Sequence, residues 1–424
     1  MGVTQCLQVT FEFWSAIFSL ITALCVYVTR QYDAAGSLYL MALLLTNATL
    51  NVTEAMAYYY RGNLTLTGYH MVRISNFSVF LCNYLLLLFL LFYICRVIER
   101  NGGNESRKLK HAAVSIIAAG IVLLALSRVF DFYYAFDESN RYYRLNTYWV
   151  MLLFTEAPLM ILANLIFSNW QSLKNIEKNG FLMFIILPVV GIIVQLFVYG
   201  VSVTTITDTI ALFTVFVSYE LEYSDHMIAK ERKMLSQTIR AFARTIDMRD
   251  HYTGSHSERV AKYARMLARR MKLSKETTRR VYQMALLHDV GKIGVDDTVL
   301  RKTTPLSPDE YSKIKTHAIK GSEILRNITE MPELARGARW HHERYDGKGY
   351  PDGLGGSAIP LEVRIIGVAD SYDAMTSNRS YRRYLPQEVV RAEIKRNAGT
   401  QFDPQVAQCM LEIMDEDTGY TLHE

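Results

Sequence analysis

The 424-residue chain has little cysteine: Cys6, Cys25, Cys82, Cys95 and Cys409 are all it contains. Three of them sit inside apolar runs and read as small core residues, so no disulfide framework is implied. None accompanies the histidines discussed below, which argues against a cysteine-based structural zinc site. An excess of one charge is also lacking. Lys and Arg number 46 against 41 Asp and Glu, a formal charge of +5. Much of that excess lies in short loops between apolar runs, so it does not indicate nucleic-acid affinity. The N-terminus, MGVTQCLQVT, has no basic segment and no evident cleavage site, so the first apolar run reads as a retained span, not a signal peptide. Alternating strand patterns are scarce, and there is no internal repeat or low-complexity tract.

What the chain does have is a sharp asymmetry. Up to about Tyr223 it is a series of apolar runs; beyond that it is charged and globular in character. Seven runs approach the ~20 residues a bilayer requires, at 9–29, 37–59, 76–96, 111–132, 147–169, 181–200 and 204–222. The seventh is the weakest, because Thr204, Thr205, Thr207, Asp208 and Thr209 crowd its start. Arg96, Arg100, Arg107, Lys108 and Lys110 follow the third run, and Lys174 and Lys178 follow the fifth. These loops alternate as expected for an external N-terminus and a cytoplasmic C-terminus, although Arg61, Arg73, Arg141 and Arg144 fall on the other side. Asn47, Asn51 and Glu54 share one face of the second run; Arg128 and Asp131 close the fourth, and Glu156 precedes Pro158 in the fifth. Two readings stand for these polar groups: hydrogen bonding between helices, or a ligand pocket. The aromatic loop DFYYAFDESNRYYRLNTYW would roof such a pocket or form an interfacial belt.

A charged, helix-prone segment follows, from about Leu221 to Asp247. Leu221, Ile228, Leu235 and Phe242 repeat every seven residues, and Ile239 and Ile246 add a second apolar position only in the latter half. Sustained heptads need both positions, so the coiled-coil signal is weak; no Pro or Gly interrupts the segment, and a continuous signalling helix, paired in a dimer, fits better than a flexible tether. From Asp247 onward the spacing predicts helices over 260–267, 281–287, 311–325, 334–340, 363–375 and 389–394, with prolines at their boundaries. The chain therefore divides into a membrane region (1–222), a helical linker (223–247) and an all-α soluble domain (248–424).

That domain carries the chemistry. His288 and Asp289 adjoin in ALLHDVGKIGV, and His341 and His342 adjoin in HHERYDGKGYP. His256 lies before them, His317 between them and Asp370 after them, so five of the ten histidines fall in these contexts. Imidazole and carboxylate together suit Mn, Fe, Co or Zn, and a shared carboxylate can bridge two such ions. His251 stands outside the pattern and reads as an ordinary residue.

HDVGK followed by HHERYDGKGYP resembles the HD-GYP subgroup of the HD phosphohydrolase superfamily, bacterial cyclic di-GMP phosphodiesterases. The resemblance runs from about Arg249 to Val406 through RDHYTGSHSERV, DSYDAMTSNRSYR and GTQFDPQV. It implies metal ligands at His256, His288, Asp289, His317, His341, His342 and Asp370. Asp289 would bridge two cations; His256, His288 and Asp370 would complete one site, and His317, His341 and His342 the other. A bridging water between cations ~3.5–4 Å apart would then attack phosphorus. Some family members hold a third metal through a glutamate four residues before the first histidine. Tyr252 stands there, and a tyrosine, with its pKa near ~10, predicts two metals. Ser255 replaces the usual glycine beside His256, and Ser380 a frequent proline before Tyr381; neither removes a ligand. Iron or manganese is the expected metal.

The resemblance also assigns the substrate side. Lys292 would hold a phosphate oxygen and stabilise developing charge. Arg379 and Arg382 suit phosphate or guanine edges, Tyr350 would stack on a base, and Asp373 would orient Lys292 or Arg379. A Gly-rich nucleotide-fold reading of DGKGYPDGLGGSAIP fails, because no βαβ pattern surrounds it. The expected whole is all-α: a seven-helix transmembrane bundle followed by a cytoplasmic HD-GYP domain. The expected protein is a bacterial inner-membrane homodimer that cleaves cyclic di-GMP to pGpG, with GMP as a further product, and binds no nucleic-acid polymer. The alternatives are another cyclic dinucleotide such as cyclic GMP-AMP, or a silent receptor signalling by contact.

Overall fold

The computed structural model describes residues 3–197, 202–249, 255–378 and 383–423. It separates into two compact units, Met1–Ala229 and Lys230–Glu424. Both are helical, and sheet is almost absent.

In the first unit, helices occur at each of the seven apolar runs: α1 (Val3–Thr29), α2 (Ala34–Tyr59), α3 (Leu66–Arg100), α4 (Arg107–Phe130), α5 (Tyr148–Ser168), α6 (Asn175–Phe197) and α7 (Val203–Arg249). Five of them, α1 to α5, are long and apolar enough to cross a membrane. The sixth run, 181–200, ends among residues outside those described, and the seventh is only the first part of α7. Polar side chains start several of these helices. Asp33, Thr65 and Ser106 accept hydrogen bonds from the backbone N–H of Gly36, Gly68 and Leu109, donors the helix itself cannot satisfy. Leu40, Leu43, Leu44, Leu90, Leu91 and Ile94 form a buried core. Trp14, Trp149 and Met160 instead stay exposed, as expected of side chains that meet lipid.

A two-stranded hairpin, β1 (Tyr134–Phe136) with β2 (Tyr142–Arg144), departs from the all-α expectation. It lies in the aromatic loop. Asn140 turns the chain with φ +54°, and Asp137 Oδ1 accepts from Arg141 N at 2.7 Å. Phe136 then faces Tyr142, the aromatic cross-strand pairing that favours so short a ladder.

At one end of the unit a buried ion network joins four helices. Arg100 of α3 bonds Asp33 at the start of α2 (3.3 Å), Glu177 of α6 (2.9 Å) and Glu222 of α7. Lys174 reaches Glu222 at 2.5 Å.

The linker expected after the seventh run is not a separate element. α7 runs unbroken for 47 residues. Its last turns belong to the second unit, where Ile239, Ala243 and Ile246 enter the hydrophobic core. The remaining helices are α8 (His256–Arg270), α9 (Lys275–Leu286), α10 (Asp297–Leu300), α11 (Pro308–Leu325), α12 (Glu333–Trp340), α13 (Leu361–Thr376), α14 (Gln387–Arg396) and α15 (Pro404–Glu416). Sequence spacing did not anticipate α15, although Val406, Met410, Leu411 and Met414 bury one face of it and Asp403 caps its start.

Candidate metal centre

Five segments converge on one site. His256 is the first residue of α8. His288 and Asp289 follow α9, at the entrance to a 3-10 turn, Val290–Gly294, that also carries Lys292. His317 lies in α11, and His341 and His342 leave the end of α12. Asp370 and Asp373 sit one turn apart on α13. Glycine permits the closest approach. A Cβ on Gly291 would stand 1.8 Å from the His317 carbonyl oxygen and 2.4 Å from Gly321 N, so only glycine lets the HDVGK turn lie against α11.

The imidazoles are oriented from behind. Nδ1 of His288, His317 and His341 lies 2.6, 2.7 and 2.8 Å from the carbonyl oxygens of Ala285, Ile314 and Ala338. Nδ1 of His256 lies 2.8 Å from Asp373 Oδ2. Each of these partners accepts only, which places the ring proton on Nδ1 and leaves the Nε2 lone pair for the centre. Those four Nε2 atoms surround Asp289. Oδ1 faces His317 at 3.4 Å and His341 at 3.8 Å; Oδ2 faces His288 at 3.3 Å and His256 at 3.6 Å. Asp370 Oδ1 lies 3.5 Å from His256 Nε2. The potential ligand atoms form two clusters: Asp289, His317, His341 and His342 in one, and His256, His288 and Asp370 in the other.

This donor set fits divalent cations. Ligand atoms ~2.1 Å from one ion at tetrahedral or octahedral angles stand about 3.0–3.5 Å apart, close to the spacings around Asp289. Nε2 of His317 and of His341 face each other at 3.1 Å. With both Nδ1 positions protonated, these are two lone pairs, and a cation between them removes the repulsion. Nε2 of His288, fully buried, has no hydrogen-bond partner, and a buried acceptor in that state is costly without an ion.

Burial and charge divide the histidines. Burial, helped by neighbouring imidazoles, pushes His341 well below its ordinary value and His342 down to about 4, and burial likewise lowers His317. These three stay neutral, the form that ligates. Burial alone would lower His256 and His288 too, but Asp289, with Asp373 for His256 and Asp370 for both, outweighs it. His256 is raised to about 10, and His288 is raised above its usual value. Burial opposes ionisation of Asp289, yet Lys292, His288 and His256 hold it well below the carboxylate range.

The centre opens into a cavity of about 490 Å³ lined by Lys292, Lys315, Arg344, Lys348, Arg364 and Tyr350 among others. Lys292 Nζ sits 2.7 Å from Asp289 Oδ2, so it touches that carboxylate as well as the cavity. The Tyr350 ring lies against His342, with centroids 4.7 Å apart. Its loop is fixed by Glu343, which accepts from the backbone N–H of Asp352, Gly353 and Leu354 at 2.7–3.1 Å.

One expected contact is corrected. Asp373 does not orient Lys292. It is buried (1% exposed), bonds His256 and takes a 2.6 Å hydrogen bond from Arg259 Nε. The helical spacing of Asp370 and Asp373 showed that they share a face, but not which side chain of α8 lay opposite. Arg259, one turn after His256, and Glu343, inside HHERYDGKGYP, are the site residues that sequence reading missed. Arg379, Arg382, Ser380 and Tyr252 lie outside the described residues.

Comparison with known proteins adds names to this geometry. Residues 240–406 match a family model described as an HD domain. The 3'3'-cGAMP-specific phosphodiesterase 3 of Vibrio cholerae is 38% identical over 167 residues, which are 39% of this chain and 36% of that protein. The cyclic di-GMP phosphodiesterase response regulator RpfG of Xanthomonas campestris is 40% identical over 186 residues, 43% of this chain and 48% of the relative. A cyclic di-GMP phosphodiesterase of Thermotoga maritima is 38% identical over 175 residues, 41% and 47% respectively. The chain thus spans about a third to a half of the length of these relatives, and the span 240–406 that matches the HD domain model holds every one of the seven clustered histidines and aspartates. The C-terminal unit of this chain therefore carries an HD domain whose histidine–aspartate cluster fits divalent metal ions.

Proposed function

We propose that the chain is a membrane-anchored, metal-dependent phosphodiesterase that hydrolyses cyclic di-GMP to pGpG, and on to GMP with further turnover. The carrying observation is Asp289, whose two oxygens each face a different pair of histidines. A single carboxylate so placed serves two cations. His256, His288 and Asp370 would hold one, and His317, His341 and His342 the other. Two bound divalent ions, iron or manganese, would supply an activated nucleophile and neutralise the phosphate under attack.

The chain's own side chains do the rest. Backbone carbonyls and Asp373 fix the ring tautomers. Lys292, held at Asp289, places an ammonium where charge develops on the scissile phosphate. Lys315, Arg344, Lys348 and Arg364 line the cavity with positive charge suited to a dianionic substrate, and Tyr350 offers a ring face to a base. Arg379 and Arg382 would contact phosphate or guanine edges. Seven apolar helices would anchor the enzyme in a bacterial inner membrane, with the HD domain cytoplasmic and α7 carrying a sensed signal to it.

A second substrate has a specific observation behind it. The relatives at nearly equal identity are named for 3'3'-cGAMP in one case and cyclic di-GMP in others. The test is anaerobic purification, metal quantification and turnover of both dinucleotides. Two equivalents of iron or manganese with faster cleavage of cyclic di-GMP support the proposal. Faster cleavage of cGAMP moves the substrate; full metal occupancy with neither cleaved leaves a silent receptor.

A further inference from the structure

The first unit contains a second cavity, of about 310 Å³, far in character from the metal centre. Glu54, Tyr58 and Arg61 of α2 and its C-terminal end, Asn76, Phe80 and Asn83 of α3, Tyr142 and Arg144 of the hairpin, Tyr148 of α5, and Thr205 and Asp208 of α7 line it. Asn47, Asn51, Glu54 and Tyr58 follow each other at intervals of four, three and four residues, so α2 presents them as one stripe, and Arg61 follows just past its end. Along that stripe charge changes sign. Glu54 lies on α2 at the inner part, and Arg61, seven residues on, lies past the helix end, in the turn where Gly62 N bonds Asn140 O of the hairpin at 3.3 Å. Asp208 joins Glu54 at the inner part. Arg144 joins Arg61 at the hairpin side, its guanidinium 4.5 Å over the Tyr148 ring. Among the described residues, none of these four charged groups makes an ion pair.

A second observation points the same way. Glu12 is fully buried behind Thr205. Its Oε1 accepts from Thr205 Oγ1 at 2.6 Å, while its Oε2 has no partner. Asn47 Oδ1 and Asn51 Oδ1, equally buried, also lack donors. Asn76 and Asn83 each donate one amide N–H to their own helix, at Val72 and Val79, and also line the cavity. These acceptors stand behind the cavity wall, and in the wall itself Glu54 and Asp208 bring two carboxylates together, an arrangement that favours a cation between them.

We propose that this cavity binds a small zwitterion, of the free α-amino acid class. Its ammonium sits between Glu54 and Asp208. Its carboxylate faces Arg61 and Arg144, and its side chain meets Phe80 and the tyrosines. The volume holds such a molecule with a few waters. A cation alone leaves the two guanidiniums unneutralised, and an anion alone leaves the two carboxylates so.

The test uses the full chain in lipid nanodiscs and needs no hydrolysis readout, so it stands apart from the phosphodiesterase proposal. Thermal unfolding is followed with each common α-amino acid, with choline as a cation lacking carboxylate, and with succinate as an anion lacking amine. At least one amino acid should raise the Tm by about 2–4 °C, with choline and succinate inert. Glu54→Gln and Arg144→Ala should each weaken that ligand tenfold or more in equilibrium binding, with the unliganded Tm within about a degree of the parent. No shift with any amino acid overturns the proposal. So does an equal shift with choline or succinate, or undiminished binding in both variants.

Discussion

Asp289 concentrates the site into one side chain. Among the described residues no other carboxylate faces all four imidazoles, so Asp289→Ala removes a link to both clusters at once. Hydrolysis should fall by at least ~10³-fold, and bound metal, quantified on the purified chain, should drop toward zero; near-normal turnover would refute the bridging role. Asp373 acts through His256. Asp373→Asn keeps the shape but presents the Nδ1–H of His256 with a weaker acceptor or an opposing N–H, and it strips Arg259 of its anion. Metal affinity should fall about 10–100-fold. A merely structural change would lower stability at constant affinity, so a titration of metal into the stripped protein separates the two.

The same residues give the metal-stripped chain a pH signature. His342 has its folded-state pKa depressed to about 4, and His317 and His341 are also lowered. Below the unfolded value of ~6.5, the unfolded state binds more protons at these rings, so stability should fall as pH drops from there toward 4. His256 is raised to about 10. Its contribution is full below ~6.5 and is lost as pH climbs through 10. The Tm of the stripped chain should therefore peak near neutral to slightly acidic pH and decline on both sides. A Tm that rises steadily from pH 6.5 to 10 would contradict this division of the histidines.

Among the elements, α7 shows how far periodicity alone can be read. The repeat Leu221, Ile228, Leu235 and Phe242 was visible in the sequence, and so were Ile239 and Ile246. The structure puts them on different duties. Ile239 and Ile246 are buried in the core of the second unit, at 6% exposure each, whereas Leu235 and Phe242 remain 45% and 60% exposed. The second apolar position appears only in the latter half because only there does α7 pack against its own domain. The exposed stripe keeps a seven-residue period, which a second copy of the same helix can match in parallel register. We propose that dimer, and Leu235→Glu should shift the detergent-solubilised chain toward monomer by light scattering; an unchanged mass would remove the stripe from the interface. Other elements were legible for the usual reason, one apolar face per helix. α15 and the β1–β2 hairpin were not. The hairpin's aromatic residues match an interfacial belt equally well, and only the turn at Asp137–Asn140 makes them strands.

For the whole molecule, the sequence motifs named the seven histidines and aspartates that the structure brings into two clusters, because few side-chain types have the donor chemistry to ligate a metal. What they could not locate was the set of partners that aim those ligands, since Ala285, Ile314 and Ala338 contribute only backbone carbonyls and carry no signature in their side chains. The join between α7 and the HD domain has that same property. Asp247, near the end of α7, accepts from Ser257 N and Oγ at 3.1 and 2.6 Å, next to His256. Arg249, its last residue, bonds Asp297 at 2.9 Å and the carbonyls of Ile293 and Val295, on the turn that carries Lys292. The contact that reaches the turn carrying Lys292 is thus addressed to main chain, which every sequence possesses. In the language of modular inheritance, such a joint is portable. Any input helix that delivers an aspartate and an arginine two residues apart in this register can be spliced onto the domain, and the domain's own turn is free to drift without losing its grip.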